Sequence, residues 1–207
     1  HCVVYQAADP AMRDAIVERM RSDLRIQDAQ AMNEFSTLGD TPATAVADPY
    51  STMQHALRRI GLPAAQQLAS GRGVRVAVID TGLDDRHADL LGRMEATDNF
   101  VDRDATQFRR DRHGTAVAGA IAANAGNGQG IRGVAPQSRL IGLKACWEIN
   151  VRGDAACSSL TLAGALESAI RRRVHVINLS LAGPSDRLLT SLLQQAGERL
   201  EKSRIGP

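Results

Sequence analysis

The stretch that decides the fold is VRVAVIDTG, residues 74–82, in which an apolar run ends at a carboxylate. Such a run is typical of a parallel strand that is covered by helices on both faces. Asp80 follows at the carboxyl end of this strand, where open α/β sheets place their ligands and their chemistry. A simpler interpretation is that Asp80 only caps the turn through Thr81 and Gly82. The residues around this stretch must decide between the two.

Downstream of this strand, strand-like and helix-like patterns alternate. We expect a loop to about Arg112, then a helix at 114–123, a strand at 139–143, a helix at 160–170 and a strand at 174–178. A last helix opens at Ser185 and has one apolar face, made by Leu188, Leu189, Leu192, Leu193 and Ala196. This alternation predicts a doubly wound α/β fold with a parallel sheet. No further strand follows the last helix, so we expect the sheet to be incomplete.

The residues before this region form a separate segment. Residues 1–39 read as a β-α-β unit, with strands at 2–6 and 25–38 and a helix that opens at Asp9 and Pro10. A unit this small is not expected to be stable alone. Residues 40–49 are a linker by composition, and residues 50–207 form the main domain, with a modest helix at 53–60.

Composition narrows the function classes. The 207 residues carry a formal net charge of +2 and only 3% aromatic residues, which argues against a nucleic-acid partner. No apolar run approaches the roughly 18 residues of a membrane span. The acidic stretch DDRHAD, residues 84–89, has no spacing typical of metal ligands, so we predict no metal site there.

A second residue with acid-base chemistry is His113, in DRHGTAVAGAIAA. A histidine at a helix start is often only a cap or a surface residue. Together with Asp80, however, it matches the pairing in which a buried carboxylate holds an imidazole in one tautomer and stabilises its protonated form. The pair favours a catalytic interpretation of both residues.

The chain has three cysteines, of which Cys146 and Cys157 lie close together in the sequence and Cys2 lies far from both. Their spacing is too wide for a C-x-x-C redox motif, and no neighbouring residues complete a zinc site. Two interpretations stay open, a disulfide that pins a loop or two unpaired buried thiols. A disulfide would indicate an oxidising compartment.

Four motifs in order resemble the subtilases, the subtilisin-like serine peptidases. VAVIDTGLDDRHADL is similar to the Asp box of that family, HGTAVAGAIAA to its His box, GVAPQSRLIGLKA to the strand that follows, and VINLSLAGP to the segment that lines the substrate cleft. The resemblance implies a serine endopeptidase of subtilisin-type fold, with Asp80 orienting His113 as general base. It also implies that the backbone of Ser180, Leu181 and Ala182 binds a peptide or protein substrate.

The same resemblance carries three weaker expectations. Residues 1–39 are similar in element order to the propeptides of some bacterial subtilases, which act as folding chaperones and inhibitors. Asp89, Asn124 and Asn127 fall where subtilisins hold calcium, although the loop also reads as a plain turn. We therefore predict no cofactor, and calcium is the alternative. Together with a disulfide, which would indicate an oxidising compartment, the resemblance leads us to expect a secreted or periplasmic bacterial protein.

One departure from the family bears on activity. These 207 residues contain no G-T-S-x-A-x-P box, which carries the family's nucleophilic serine, and no strand for the oxyanion-hole asparagine. We therefore expect the chain to be inactive alone. The rival hypothesis is a subtilase-derived binding module or pseudoenzyme without catalytic activity.

Overall fold

The computed structural model describes residues 7–26, 29, 48–102, 104, 106–150 and 154–204. The chain divides into two units, His1–Thr41 and Pro42–Pro207. In the first unit, helix α1 spans Pro10–Arg21, and the Asp9 carboxylate accepts the Met12 N–H at 2.8 Å. The helix begins where the sequence predicts it to begin. The strand predicted at 2–6 lies outside the described residues, as does most of the one predicted at 25–38.

The second unit contains a four-stranded parallel sheet made of β1 (Arg75–Asp80), β2 (Met94–Asn99), β3 (Arg139–Lys144) and β6 (Val176–Leu179). The strand order in this sheet is β2-β3-β1-β6. A separate antiparallel pair is formed by β4 (Cys146–Glu148) and β5 (Ala155–Cys157). The helices of this unit are α2 (His55–Arg59), α3 (Leu62–Leu68), α4 (His113–Ala122), α5 (Ser159–Arg171) and α6 (Arg187–Arg204).

Strand β1 is buried on both faces, as its apolar sequence predicts. Ala77 and Ile79 pack into a cluster with the apolar side of α5, whereas Val76 and Val78 pack into a second cluster with α4. Because successive strand residues point to opposite faces, one strand supplies both clusters. The mixed α/β architecture with a mainly parallel sheet is therefore confirmed for the described residues.

The expectation of a loop from β1 to about Arg112 was wrong, because β2 lies within it. Its sequence, MEATDN, is mostly polar, and its residues alternate between half-buried and exposed at first. β2 is an edge strand of the described sheet and pairs only with β3. An edge strand needs no continuous apolar run, so the periodicity of the sequence did not indicate it.

The helix predicted at 53–60 is divided. A single 3₁₀ turn covers Ser51–Met53, α2 follows, and Gly61 at φ +69° separates α2 from α3. Glycine tolerates this left-handed backbone, which ends one helix and allows the next.

The last helix begins at Arg187, two residues later than predicted. Its predicted apolar face is only partly used. Leu189, Leu192 and Ala196 pack towards the core, while Leu188 and Leu193 are exposed. The helix therefore covers the sheet with a narrower stripe than the spacing of its leucines predicts.

Candidate active site

Asp80 is the last residue of β1, and its side chain is only 4% exposed. One carboxylate oxygen, Oδ1, lies 2.8 Å from Nδ1 of His113 and also accepts the backbone N–H of Thr81 at 2.7 Å. Asp80 therefore both caps the turn at Thr81, as the simpler interpretation predicts, and contacts the imidazole of His113. The carboxylate joins the strand end to the first residue of α4.

Two glycines allow the close approach of α4 to the end of β1. A Cβ on Gly114 would lie 1.9 Å from the carbonyl oxygen of Gly82, a distance that no side chain allows. Gly82 itself has a φ of +90°, and a Cβ there would meet the carbonyl oxygen of Phe108 at 2.3 Å. The Gly114 N–H also donates to Oγ1 of Thr81 at 3.2 Å. The H-G and T-G pairs of the sequence therefore set how close His113 comes to Asp80.

The two partners differ strongly in exposure. The side chain of His113 is 45% exposed, against 4% for Asp80. Since the carboxylate engages Nδ1, Nε2 is the ring nitrogen that remains for a reacting group. A buried carboxylate behind a half-exposed imidazole can hold one tautomer and stabilise a proton taken up at Nε2.

A buried ion pair, which sequence reasoning missed, lies beside the strand end. Lys144 is 2% exposed and is the register partner of Asp80 on β3. Its Nζ donates to the carbonyl oxygen of Thr81 and to Oδ2 of Asp111. A lysine that directly follows the apolar strand LIGL could have indicated a buried partner, because buried lysines are nearly always paired.

The strands β4 and β5, which carry the two cysteines, pair as an antiparallel hairpin. Cys146 and Cys157 face each other in β4 and β5, and their sulfur atoms are bonded at 2.05 Å. Glu148, at the end of β4, reaches the start of α4, where its Oε1 accepts the N–H groups of Arg112 at 2.7 Å and of His113 at 3.3 Å. An open cavity of about 630 Å³ lies beside this contact and is lined in part by Trp147 and Glu148.

Ser180, Leu181 and Ala182 follow β6 directly and are exposed. Because β6 pairs in parallel with β1, with Leu179 opposite Ile79, this segment leaves the sheet at the same edge as Asp80. The side-chain amide of Asn178, in β6, donates to Oγ of Ser180 at 3.0 Å. The three residues thus share the sheet edge of the Asp80–His113 pair.

Asp89 is only 3% exposed, and N–H groups donate hydrogen bonds to its carboxylate. Its carboxylate accepts the side-chain amide of Asn127 at 3.0 Å and the Ile131 N–H at 2.8 Å. Buried Asp48 accepts the N–H groups of Gly126 at 2.9 Å and of Asn127 at 3.1 Å. These contacts tie the loop before β3 to the fold. Carboxylate and amide oxygens are ligands that Ca²⁺ prefers, but the two carboxylates here accept N–H groups. Calcium therefore stays only the alternative to the prediction of no cofactor.

Asn124 lies at the same loop. Its backbone N–H donates to the Asp89 carbonyl oxygen at 2.8 Å, and its side-chain amide donates to the Leu91 carbonyl oxygen at 3.0 Å. In the nearby acidic stretch, Asp85 pairs with Arg109. Across the part of the chain that the structure describes, no group of three or more His, Cys, Asp or Glu residues is arranged to hold a metal ion.

A model of the Subtilase family matches residues 71–204. Thermitase from Thermoactinomyces vulgaris is 34% identical over 137 residues, which cover 66% of this chain and 47% of that protein. The major intracellular serine protease of Bacillus subtilis is 38% identical over 120 residues, 56% of this chain and 36% of that protein. Subtilisin BL from Lederbergia lenta is 40% identical over 141 residues, 68% and 48% of the two chains.

The chain belongs to the subtilase family of serine peptidases. It spans about half or less of the length of these curated relatives. Among the helices that the structure describes, none is long and apolar enough to cross a membrane.

Proposed function

We propose that this chain supplies the Asp and His of a subtilisin-like serine endopeptidase, and that the nucleophilic serine lies in a segment outside these 207 residues. The observation that carries the proposal is the 2.8 Å contact between the buried Oδ1 of Asp80 and Nδ1 of the half-exposed His113. Family membership supports the reaction class.

In the proposed reaction, Asp80 keeps Nδ1 of His113 protonated, so that Nε2 is the base. The serine hydroxyl gives its proton to Nε2 as its oxygen attacks the substrate carbonyl. Asp80 then stabilises the imidazolium, and His113 returns the proton to the leaving amine. Acyl transfer further needs N–H donors for the developing oxyanion, which we assign to the part of the protein that carries the serine.

The substrate in this proposal is an extended peptide. The exposed segment Ser180–Leu181–Ala182 follows β6 at the same sheet edge as Asp80, and an exposed extended backbone can pair with a substrate strand. This position supports the substrate-binding role of the three residues.

The rival hypothesis, an inactive binding module, predicts no chemical task for the Asp80–His113 pair. A buried carboxylate needs partners, and a histidine that is merely a cap need not bond to it. The geometry of the pair therefore favours the peptidase.

Labelling with a fluorophosphonate probe tests the proposal. The 207 residues alone should neither label nor cleave peptides, whereas a form that includes a G-T-S-x-A segment should do both. In that form, His113→Ala should lower kcat by about 10⁴-fold. The matched control is His175→Ala, because His175 accepts the Arg75 N–H at the opposite end of β1 and should leave kcat unchanged. Labelling of the 207 residues that His113→Ala abolishes would show that a serine of this segment is the nucleophile.

We also propose a secreted or periplasmic protein, for which the Cys146–Cys157 bond is the support. The names of the relatives do not decide this, because one is an intracellular protease and others are subtilisins. The propeptide-like role of residues 1–39 is likewise a proposal from element order.

A further inference from the structure

The start of α4 is capped by a residue far away in sequence. The first turn of a helix has N–H groups without an intrahelical partner. Arg112, the N-cap residue, makes no side-chain cap, and instead Oε1 of Glu148 accepts the N–H groups of Arg112 and His113. A carboxylate at a helix amino terminus is also favoured by the helix dipole. Glu148 thus bonds to the backbone of the very residue whose imidazole contacts Asp80.

The hairpin that carries Glu148 is anchored at its base, where Cys146 is 3% exposed and lies in the apolar cluster with α5. A two-stranded sheet is marginal by itself. The Cys146–Cys157 bond closes this base, and the Ile149 N–H donates to the Asp154 carbonyl oxygen at 2.8 Å at the other end of the two strands. The Glu148 N–H further donates to Oδ2 of Asp111 at 3.3 Å. These links fix where the Glu148 carboxylate lies relative to α4.

We propose that Glu148 is a positioning residue for His113, held in place by the disulfide-closed hairpin. It does not contact the reacting atoms. It fixes the backbone of His113 from one side, while Asp80 fixes the imidazole from the other. The effect of Glu148 on catalysis rests on the proposed function, but its effect on the backbone of His113 does not.

Amide hydrogen exchange on the 207-residue chain tests the structural consequence. Glu148→Ala removes the acceptor and should speed exchange at the Arg112 and His113 N–H groups by about tenfold, the effect of losing one hydrogen bond. Glu148→Gln keeps an oxygen acceptor and should restore most of the protection. Glu167→Ala, which changes an exposed glutamate on α5, should alter neither rate. Unchanged exchange in Glu148→Ala would overturn the proposal.

The disulfide is tested by combination. The double variant Cys146→Ser/Cys157→Ser should raise the same two exchange rates, and adding Glu148→Ala should then change them little, because both act through one contact. Fully additive effects would overturn the claim that the disulfide acts through Glu148.

Kinetics separate the failure of this inference from the failure of the proposed function. In a form that carries the nucleophilic serine, Glu148→Ala should lower kcat by about tenfold with little change in KM, and Glu148→Gln should rescue it. Faster exchange without peptidase activity in any form would support the positioning contact and refute the proposed function. Peptidase activity with unchanged kcat in Glu148→Ala would overturn the positioning role.

Discussion

The two sides of the candidate active site are held by different forces. Asp80 ends a strand that pairs on both sides, with β3 and with β6, between two buried apolar clusters. The β4–β5 hairpin has only three residues in each strand, and a disulfide joins the two strands to each other. Its base is anchored by Cys146, which is buried in one of these clusters, whereas its Glu148 end is joined to its surroundings by polar contacts. The carboxylate side is thus set by burial, whereas the Glu148 end of the hairpin is set by individual polar contacts. Removing single links should therefore affect the hairpin side most.

Asp111→Ala tests the buried ion pair between the two sides. It leaves Lys144 without its counter-charge and removes the acceptor for the Glu148 N–H. We expect the free energy of unfolding to fall by about 3–5 kcal/mol in urea denaturation, the usual effect of breaking a buried pair. The matched control is Glu95→Ala, which breaks the more exposed pair with Arg75 and should cost at most about 1 kcal/mol. An equal loss of unfolding free energy in the two variants would show that the buried pair contributes no more than the exposed one, and so does not link the two sides.

Removal of the disulfide is the next test of the hairpin. Replacing Cys146 and Cys157 together by serine should lower the free energy of unfolding by about 3 kcal/mol or less, because the closed loop is short. Mass spectrometry of non-reduced peptides should first find the two residues linked. Free thiols in secreted material would contradict the bond, which would then no longer support the proposed compartment.

Ser158 lies at the junction of the hairpin with the core. Its side chain accepts the Thr161 N–H at 3.2 Å, and Oγ1 of Thr161 accepts the Ser158 N–H in return, so the two residues form a capping box at the start of α5. Ser158→Ala should destabilise the fold by about 1 kcal/mol in thermal or urea unfolding. Ser158→Thr keeps the cap and should recover most of this loss. An equal loss in both variants would show that the cap is not the cause.

A small dependence on pH should arise at the start of α6. The Ser159 hydroxyl and the Leu189 N–H donate to the Asp186 carboxylate and lower its pKa. A lowered pKa in the folded state means that this carboxylate stabilises the fold above its unfolded pKa of about 4, and that the stabilisation is lost as the pH falls through the folded value. Asp186→Asn should therefore remove a part of the stability difference between neutral and acidic pH. An unchanged difference would contradict this assignment.

Local patterns in the sequence determined much of this site. The apolar run up to Ile79 predicted a buried strand with Asp80 at its end, and the A/G-rich stretch after His113 predicted the helix. Both elements form within two residues of the expected bounds. The four ordered motifs also indicated the family, which the match over residues 71–204 confirms. These features are readable because periodicity and helix starts depend on neighbouring residues.

Only the tertiary structure decided how the site is held. The contacts of Lys144 with Asp111 and of Glu148 with the His113 N–H join residues that lie 33 and 35 positions apart in the sequence. The position of Lys144 after LIGL could indicate its burial but not its partner, and no local pattern marks Asp111 or Glu148, because each reads alone as an ordinary surface charge. The edge strand β2 was missed for a related reason, since its polar residues become a strand only when β3 offers its hydrogen-bonding groups. The burial of one strand can be predicted from the pattern of its neighbouring residues. A pair that folding brings together depends on where the whole chain places each partner.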